Sequence, residues 1–305
     1  MASIRERLTR GGILVTDGAM GTEIDRRAAP IDTAVWSARV FEERDDVVRE
    51  IHEDYVRAGA DVHLTNTFAT SRHVLQAAGL GSHFETFNRR AVGLCREAIV
   101  AAGGGRQQWI AGSISTYAES SDRSKLPPLP KLRDNFHAQA LVLADAGVDL
   151  LALEMLGDVE TSSVMAEAAA ATGLPFWLGF TLVLGEDGET VETRHPVGAP
   201  AFDEVLPQVL DRLSADADAM VGVMHCDFDV TDAALEIVAR QFGGPVVVYP
   251  NSGLYEMPHW RFDTVCSPQE FVDHALRWIG DGAAMVGGCC GLGPEHIAAL
   301  ARAVR

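Results

Sequence analysis

Residues 43–66 read ERDDVVREIHEDYVRAGADVHLTN. Val47, Val48, Ile51, Tyr55 and Val56 recur at helical spacing near one face, with charges elsewhere, which predicts an amphipathic helix. Gly59 is its expected stop, because glycine enters the left-handed conformation without steric cost. The chain then passes directly into DVHLTN (61–66), a run of strand length. A second helical pattern ends similarly on ADAGVD (144–149), ahead of DLLALE (149–154).

The alternation of strand and helix recurs along the chain. Besides DVHLTN and DLLALE, the strands expected are ILVTD (13–17), WIAGS (109–113), FWLGFT (176–181), AMVGVM (219–224), PVVVY (245–249) and AAMVG (283–287). They are continuous apolar runs, as parallel strands buried on both faces are, and each precedes a helical segment. Eight such units in strict order predict a (β/α)8 TIM-type barrel of parallel strands, in preference to a doubly wound sheet, spanning 1–305 as a single domain. Long segments follow strands 1, 3, 5 and 7, including KLPPLPKL (125–132) and LGEDGETVETRHPVG (184–198), and are placed to cover a pocket or to decorate the surface.

Composition narrows the partners. With 43 acidic against 25 basic residues the formal charge is −18, which argues against phosphate backbones and anionic membranes and leaves small molecules. No run approaches the roughly 20 apolar residues of a membrane span. The five cysteines, an odd number, fit a reduced cytoplasmic protein better than a disulfide framework.

In such a barrel, chemistry sits where strands end. The strand ends carry Asp17, Asn66, Ser113, Glu154, Thr181, Cys226, Asn251 and the pair Cys289–Cys290. Cys95, inside a helix pattern, and Cys266, in a loop, read as ordinary packed thiols. Adjacent strand residues point to opposite faces, so Cys289 and Cys290 can aim at one point only where the chain leaves the strand. Gly287, Gly288 and Gly291 allow that departure. The pair alone is a weak signal that fits inert buried thiols better than a redox couple. With Cys226 from a strand two places away, a three-thiolate zinc site (Zn2+) with an open fourth position becomes the favoured reading. Asp17 and Glu154 end apolar strands and are costly to bury unless paired or bound to a cation such as a substrate ammonium. A turn or cap at Asp17 and a barrel-internal hydrogen bond at Glu154 are the structural alternatives.

DGAMGTEI (17–24), VWSARVF (35–41), IHEDYVRAGADVHLTNTFATS (51–71), ALEMLGDVETSSVMAEAA (152–169), VGVMHC (221–226), VVYPNSG (247–253) and VGGCCG (286–291) together resemble the homocysteine S-methyltransferase family. The resemblance runs in order from about residue 11 to the C-terminus. It implies a zinc-dependent barrel that moves a methyl group from a small onium donor (S-methylmethionine, S-adenosylmethionine, betaine or similar) to the thiol of homocysteine, giving methionine. It places the zinc ligands, which carry the catalysis, on Cys226, Cys289 and Cys290, and the substrate-binding carboxylates on Asp17 and Glu154. Asn251 falls on a family position beside the pocket and is taken as substrate-binding.

The chain departs from the family pattern on the donor side. His225 precedes Cys226 where the family usually has Asn, and alternation along the strand predicts a packed histidine pointing away from the metal, with a supporting or fourth-ligand role as alternatives. GSISTYAESSDRSK (112–125) lacks the Gly/Tyr-rich form of members that use S-methylmethionine, and Met155 stands where many carry Thr or Tyr. Tyr117, Trp177, Tyr255 and Trp260 are the aromatic residues available to an onium methyl. Folate and corrinoid modules do not fit in 305 residues, so a corrinoid donor would be a separate protein partner. A zinc hydrolase is disfavoured by the lack of an H-E-x-x-H pattern or clustered His triad, and a zinc or thiol sensor is the non-enzymatic alternative. Whether the chain forms a homo-oligomer stays open.

Overall fold

Successive strand residues serve two different cores. Leu14, Leu64, Trp109, Leu150, Trp177 and Met285 pack with one another inside the barrel. Their neighbours Val15, Ile110, Leu151, Phe176 and Val286 face outward onto the helices. Both faces are dry, which is why the strands read as unbroken apolar runs. The structure is a computed structural model that describes residues 3–103, 105–118, 123–193, 199–214, 217–256 and 259–305.

All the expected strands form, with boundaries within two residues of those read from the sequence: β1 Leu14–Val15, β2 Val62–Leu64, β3 Trp109–Ser115, β4 Leu150–Leu156, β5 Phe176–Phe180, β6 Ala219–Met224, β7 Val246–Tyr249 and β8 Ala283–Val286. They form one parallel eight-stranded sheet in which each strand pairs with the next and β1 pairs with β8. A parallel bridge between Thr16 and Val62 joins β1 to β2 and closes the ring. Side chains reinforce this short seam: Leu64 N donates to Asp17 Oδ2 at 2.9 Å and Val15 N to Asp61 Oδ2 at 3.0 Å.

A helix follows each strand: α1 Asp45–Ala58, α2 Phe84–Ala102, α3 Leu129–Ala146, α4 Val159–Ala170, α5 Phe202–Leu210, α6 Phe228–Gln241, α7 Pro268–Gly280 and α8 Pro294–Ala303. α1 buries the predicted stripe and ends on Gly59 at φ +107°, and α3 ends on Gly147 at φ +86°. The short helix Ile4–Thr9, capped by Ser3 and Glu6, buries Ile4 in the barrel-interior core. Two antiparallel hairpins add to the barrel, Leu182–Leu184 with Val191–Thr193 and Leu254–Glu256 with His259–Arg261. They occupy the long segments after β5 and β7, although residues 194–198 of the quoted Gly/Glu-rich stretch and 119–122 of the β3 segment lie outside the described residues. No helix among the described residues is long and apolar enough to cross a membrane.

Gly287 shows how closely the sheet packs where β8 ends. A Cβ there would lie 1.9 Å from Thr16 Oγ1 and 2.6 Å from the Asp17 carbonyl oxygen. Backbone cannot yield as a flexible side chain does, so Gly287→Ala is expected to destabilise the protein by about 3 kcal/mol, the upper part of the range for overpacking. Urea unfolding that shows an unchanged midpoint for this variant would contradict it.

Candidate active site

Four described residues other than glycine have a clearly left-handed backbone: Ala28, Trp36, Met155 and His225. Three of them, Trp36 (φ +47°), Met155 (φ +60°) and His225 (φ +56°), line one cavity of about 540 Å³ at the C-terminal end of the barrel. Such backbones cost free energy and persist where surrounding packing imposes them, commonly at ligand sites. The wall holds Cys226, Cys289, Cys290, Glu154 and Asn251, the aromatic residues Trp36, Phe68, Tyr117, Tyr249, Tyr255 and Trp260, and no Lys or Arg among the described residues.

The segment after β7 fixes the thiols. Cys289 N donates to Pro250 O at 2.7 Å, Ser252 N to Cys290 O at 2.9 Å, and Asn251 N to Cys226 O at 2.8 Å. Asn251 Oδ1 also accepts from Cys290 N at 3.2 Å. Asn251 thus ties both cysteine-bearing loops together, besides facing the cavity. Gly291 takes φ +84°, and a Cβ on it would lie 1.9 Å from Ser252 O. The chain is therefore free to leave β8 with both thiols on the same side.

Cys289 Sγ and Cys290 Sγ are 3.8 Å apart. Two thiolates on a tetrahedral zinc, each about 2.3 Å from the ion, stand about 3.8 Å apart. Cys226 lies on the same wall, but its Sγ accepts from Leu182 N at 3.2 Å and donates to Met224 O at 2.9 Å. Two of the three sulfurs are gathered and the third is engaged with its own surroundings. The bond to Cys290, burial, and the nearby Cys290 and Glu154 hold the Cys289 thiol well above its ordinary range, so a nearby cation would favour its ionisation.

Glu154 reaches the wall from β4. Ser113 Oγ donates to Oε1, and Oε2 lies 2.9 Å from His225 Nε2. His225 Nδ1 is 3.2 Å from Cys289 Sγ. The expectation that His225 points away from the site is corrected here. β6 ends at Met224, and the left-handed backbone of His225 breaks the alternation on which that expectation stood. The imidazole links the carboxylate to the thiol pair.

Asp17 lies one layer behind. It is 1% exposed and is neither a turn nor a helix cap, because Oδ2 accepts from Leu64 N and Oδ1 from the Tyr249 hydroxyl at 3.2 Å. Burial, reinforced by Glu154, pushes its pKa up against those bonds. An oxygen of Asp17 and one nitrogen each of His52 and His63 lie within 4.8 Å of one another, a second set of donors that fits a metal ion. Neither histidine was singled out in the sequence, although a His in the apolar stripe of α1 was a signal available there. Trp177, one of the four aromatic residues available to an onium methyl, is packing: it is buried inside the barrel with Nε1 on Met224 Sδ. Trp36 and Phe68 join the aromatic wall instead: Trp36 meets Tyr255 edge-on at 5.8 Å, and Phe68 lies 5.5 Å from Tyr117.

Comparison with known proteins identifies the family. The family model for homocysteine S-methyltransferase matches residues 14–304. The chain is 32% identical to homocysteine S-methyltransferase 4 of Zea mays over 97% of its own length and 90% of that protein. It is 30% identical to the homocysteine S-methyltransferase of Escherichia coli (strain K12), covering 97% of each. The metallated crystal structure of the homocysteine methyltransferase MmuM from Escherichia coli superposes with a TM-score of 0.80 at 28% identity, over 98% of this chain and 99% of that one. With a cavity walled by paired thiols and a carboxylate at the end of a closed barrel, the chain belongs to the homocysteine S-methyltransferase family and is a methyltransferase acting on homocysteine.

Proposed function

We propose that one barrel domain, residues 1–305, transfers a methyl group from a small onium donor to the thiol of homocysteine, with zinc held by Cys226, Cys289 and Cys290. The observation that carries the donor reading is the wall itself. It combines three thiols, Glu154, Asp227 and Asp229 with a group of aromatic rings, and has no Lys or Arg among its described residues. A cationic donor is attracted to the aromatic faces and the carboxylates, whereas an anionic donor would find no counter-charge. The 3.8 Å separation of Cys289 and Cys290 supports their share of the metal site.

Bound there, zinc would supply the positive charge that keeps a substrate thiol ionised at neutral pH. The protein does the rest by position. Glu154, held by Ser113 and His225, takes the α-ammonium of homocysteine on the cavity wall, and the ammonium in turn favours ionisation of Asp17, which adds a second negative charge from behind it. Trp36, Tyr255 and Trp260 face the donor, with Tyr255 and Trp260 stacked at 6.2 Å. Holding both substrates so that sulfur faces the methyl carbon in line is where much of the acceleration comes from. The transfer forms an S–C bond to homocysteine and breaks the donor's S–C or N–C bond, and the donor leaves as the neutral thioether or amine.

Zinc-loaded protein is expected to form methionine from homocysteine with at least one of S-methylmethionine, S-adenosylmethionine, betaine and dimethylsulfoniopropionate. Methionine from none of them would overturn the onium reading. Cys226→Ala, Cys289→Ala and Cys290→Ala should each lose most of the bound zinc and more activity than the roughly 10–100-fold that loss of an outer partner of a metal ligand costs. Full zinc content in all three would remove the thiol site. Glu154→Gln is expected to raise KM for homocysteine about 10–100-fold, the worth of one hydrogen bond to a charged group, with zinc content unchanged. An unaltered KM would place the ammonium elsewhere.

A further inference from the structure

His52 and His63 take no part in the chemistry described above. Both are completely buried, His52 on α1 and His63 on β2, in the layer between the barrel wall and the helices. Neither ring nitrogen of His52 has a hydrogen-bond partner, and neither does Nδ1 of His63. A buried, unsatisfied polar atom is destabilising, and two buried histidines that carry such atoms beside one buried carboxylate point to a ligand.

The hydrogen bonds say which kind of ligand. Gln108 donates through Nε2 to Gly103 O, so its Oε1 is the acceptor that faces His63 Nε2 at 2.7 Å. His63 Nε2 therefore carries the proton, and its Nδ1 presents a bare lone pair. His52 has one bare nitrogen in either tautomer. Burial holds both rings neutral, with pKa values pushed down to about 3 for His52 and about 4 for His63. One nitrogen of each ring and a carboxylate oxygen of Asp17 lie within 4.8 Å of one another, and each ring has a nitrogen with a lone pair to offer. Fixing one imidazole nitrogen by a hydrogen bond so that the other faces inward is how proteins prepare histidine for a metal. Zinc with about 2.0–2.1 Å bonds would set such atoms about 3.3 Å apart, a contraction of at most about 1.5 Å.

We propose that Asp17, His52 and His63 form a second metal site, separate from the thiols, and that a divalent transition metal bound there opposes homocysteine binding. The nitrogen and oxygen donors suit zinc, cobalt or nickel. The site joins β1, β2 and α1 at the seam where the ring closes, so an ion there also clamps that seam. The opposition follows from charge and rests on the reading of Asp17 as a partner of the substrate ammonium. A dication on Asp17 replaces a negative charge behind the pocket with a positive one and leaves the ammonium to Glu154 alone. Linkage makes the effect reciprocal, so homocysteine weakens the second metal by the same factor.

Cobalt(II) added to the full chain carrying Cys226→Ser, Cys289→Ser and Cys290→Ser tests the site apart from catalysis. The expected result is one equivalent bound, visible absorption bands without sulfur-to-cobalt charge transfer, and a raised Tm. Adding His52→Leu or His63→Val, each sufficient alone, should abolish the binding. No cobalt bound by the triple-serine chain, or binding that survives both histidine changes, overturns the site. In the zinc-loaded enzyme with native cysteines, a further equivalent of zinc should raise KM for homocysteine about tenfold, and His63→Val should remove the rise. A second equivalent that binds without moving KM overturns the opposition. Wild-type enzyme that forms no methionine from homocysteine would instead sink the reading on which the opposition rests, while the cobalt result would still judge the site.

Discussion

Pro250, Asn251 and Ser252 hold the three cysteine positions together. Four hydrogen bonds, from Cys289 N to Pro250 O, Cys290 N to Asn251 Oδ1, Asn251 N to Cys226 O and Ser252 N to Cys290 O, knit the ends of β6, β7 and β8 into one piece. The contacts at 2.7–3.2 Å leave little freedom for the loops that carry Cys226 and the Cys289–Cys290 pair. A metal site tolerates only small errors in ligand position, and rigid support of this kind is what provides it. Glycine is part of the same constraint, since any side chain at Gly291 would collide with Ser252 O.

Around that support the site concentrates groups that are unstable in isolation. Asp17, Glu154 and Cys289 lie in or behind one cavity, each buried, and burial together with mutual repulsion disfavours charge on Asp17 and Cys289. Ser113, Tyr249, Leu64 N and His225 offset part of that cost with hydrogen bonds. On the proposed reading the remainder is relieved by cations, a metal at the thiols and the ammonium of the acceptor. A pocket built in this way favours cationic ligands, because their binding offsets repulsion among its own groups.

The fold was legible because local rules and global topology agree. Residues 43–66 show it in miniature: an amphipathic stripe, a glycine at positive φ and a strand buried on both faces, each recognisable from neighbours a few positions away. The rim positions Cys226, Cys289, Cys290, Glu154 and Asp17 followed from the same logic, since residues at strand ends in a barrel must gather at one end. His225 did not, because its orientation depends on a backbone turn that no local pattern announces. Trp177 is packing, because its strand position sends it into the barrel interior.

The sequence by itself determined the eight strand and helix units, the thiol and carboxylate inventory of the rim, and an acidic chain suited to small cationic ligands. Those properties depend on periodicity, spacing and charge, which are local or additive. Only the tertiary structure decided that Trp36 and Phe68 share a wall with Tyr255 and Trp260, that Asn251 binds both cysteine loops, and that His52 and His63 converge on Asp17. Each of these joins residues from separate strands, loops or helices, and such contacts exist only once the ring has closed between Thr16 and Val62.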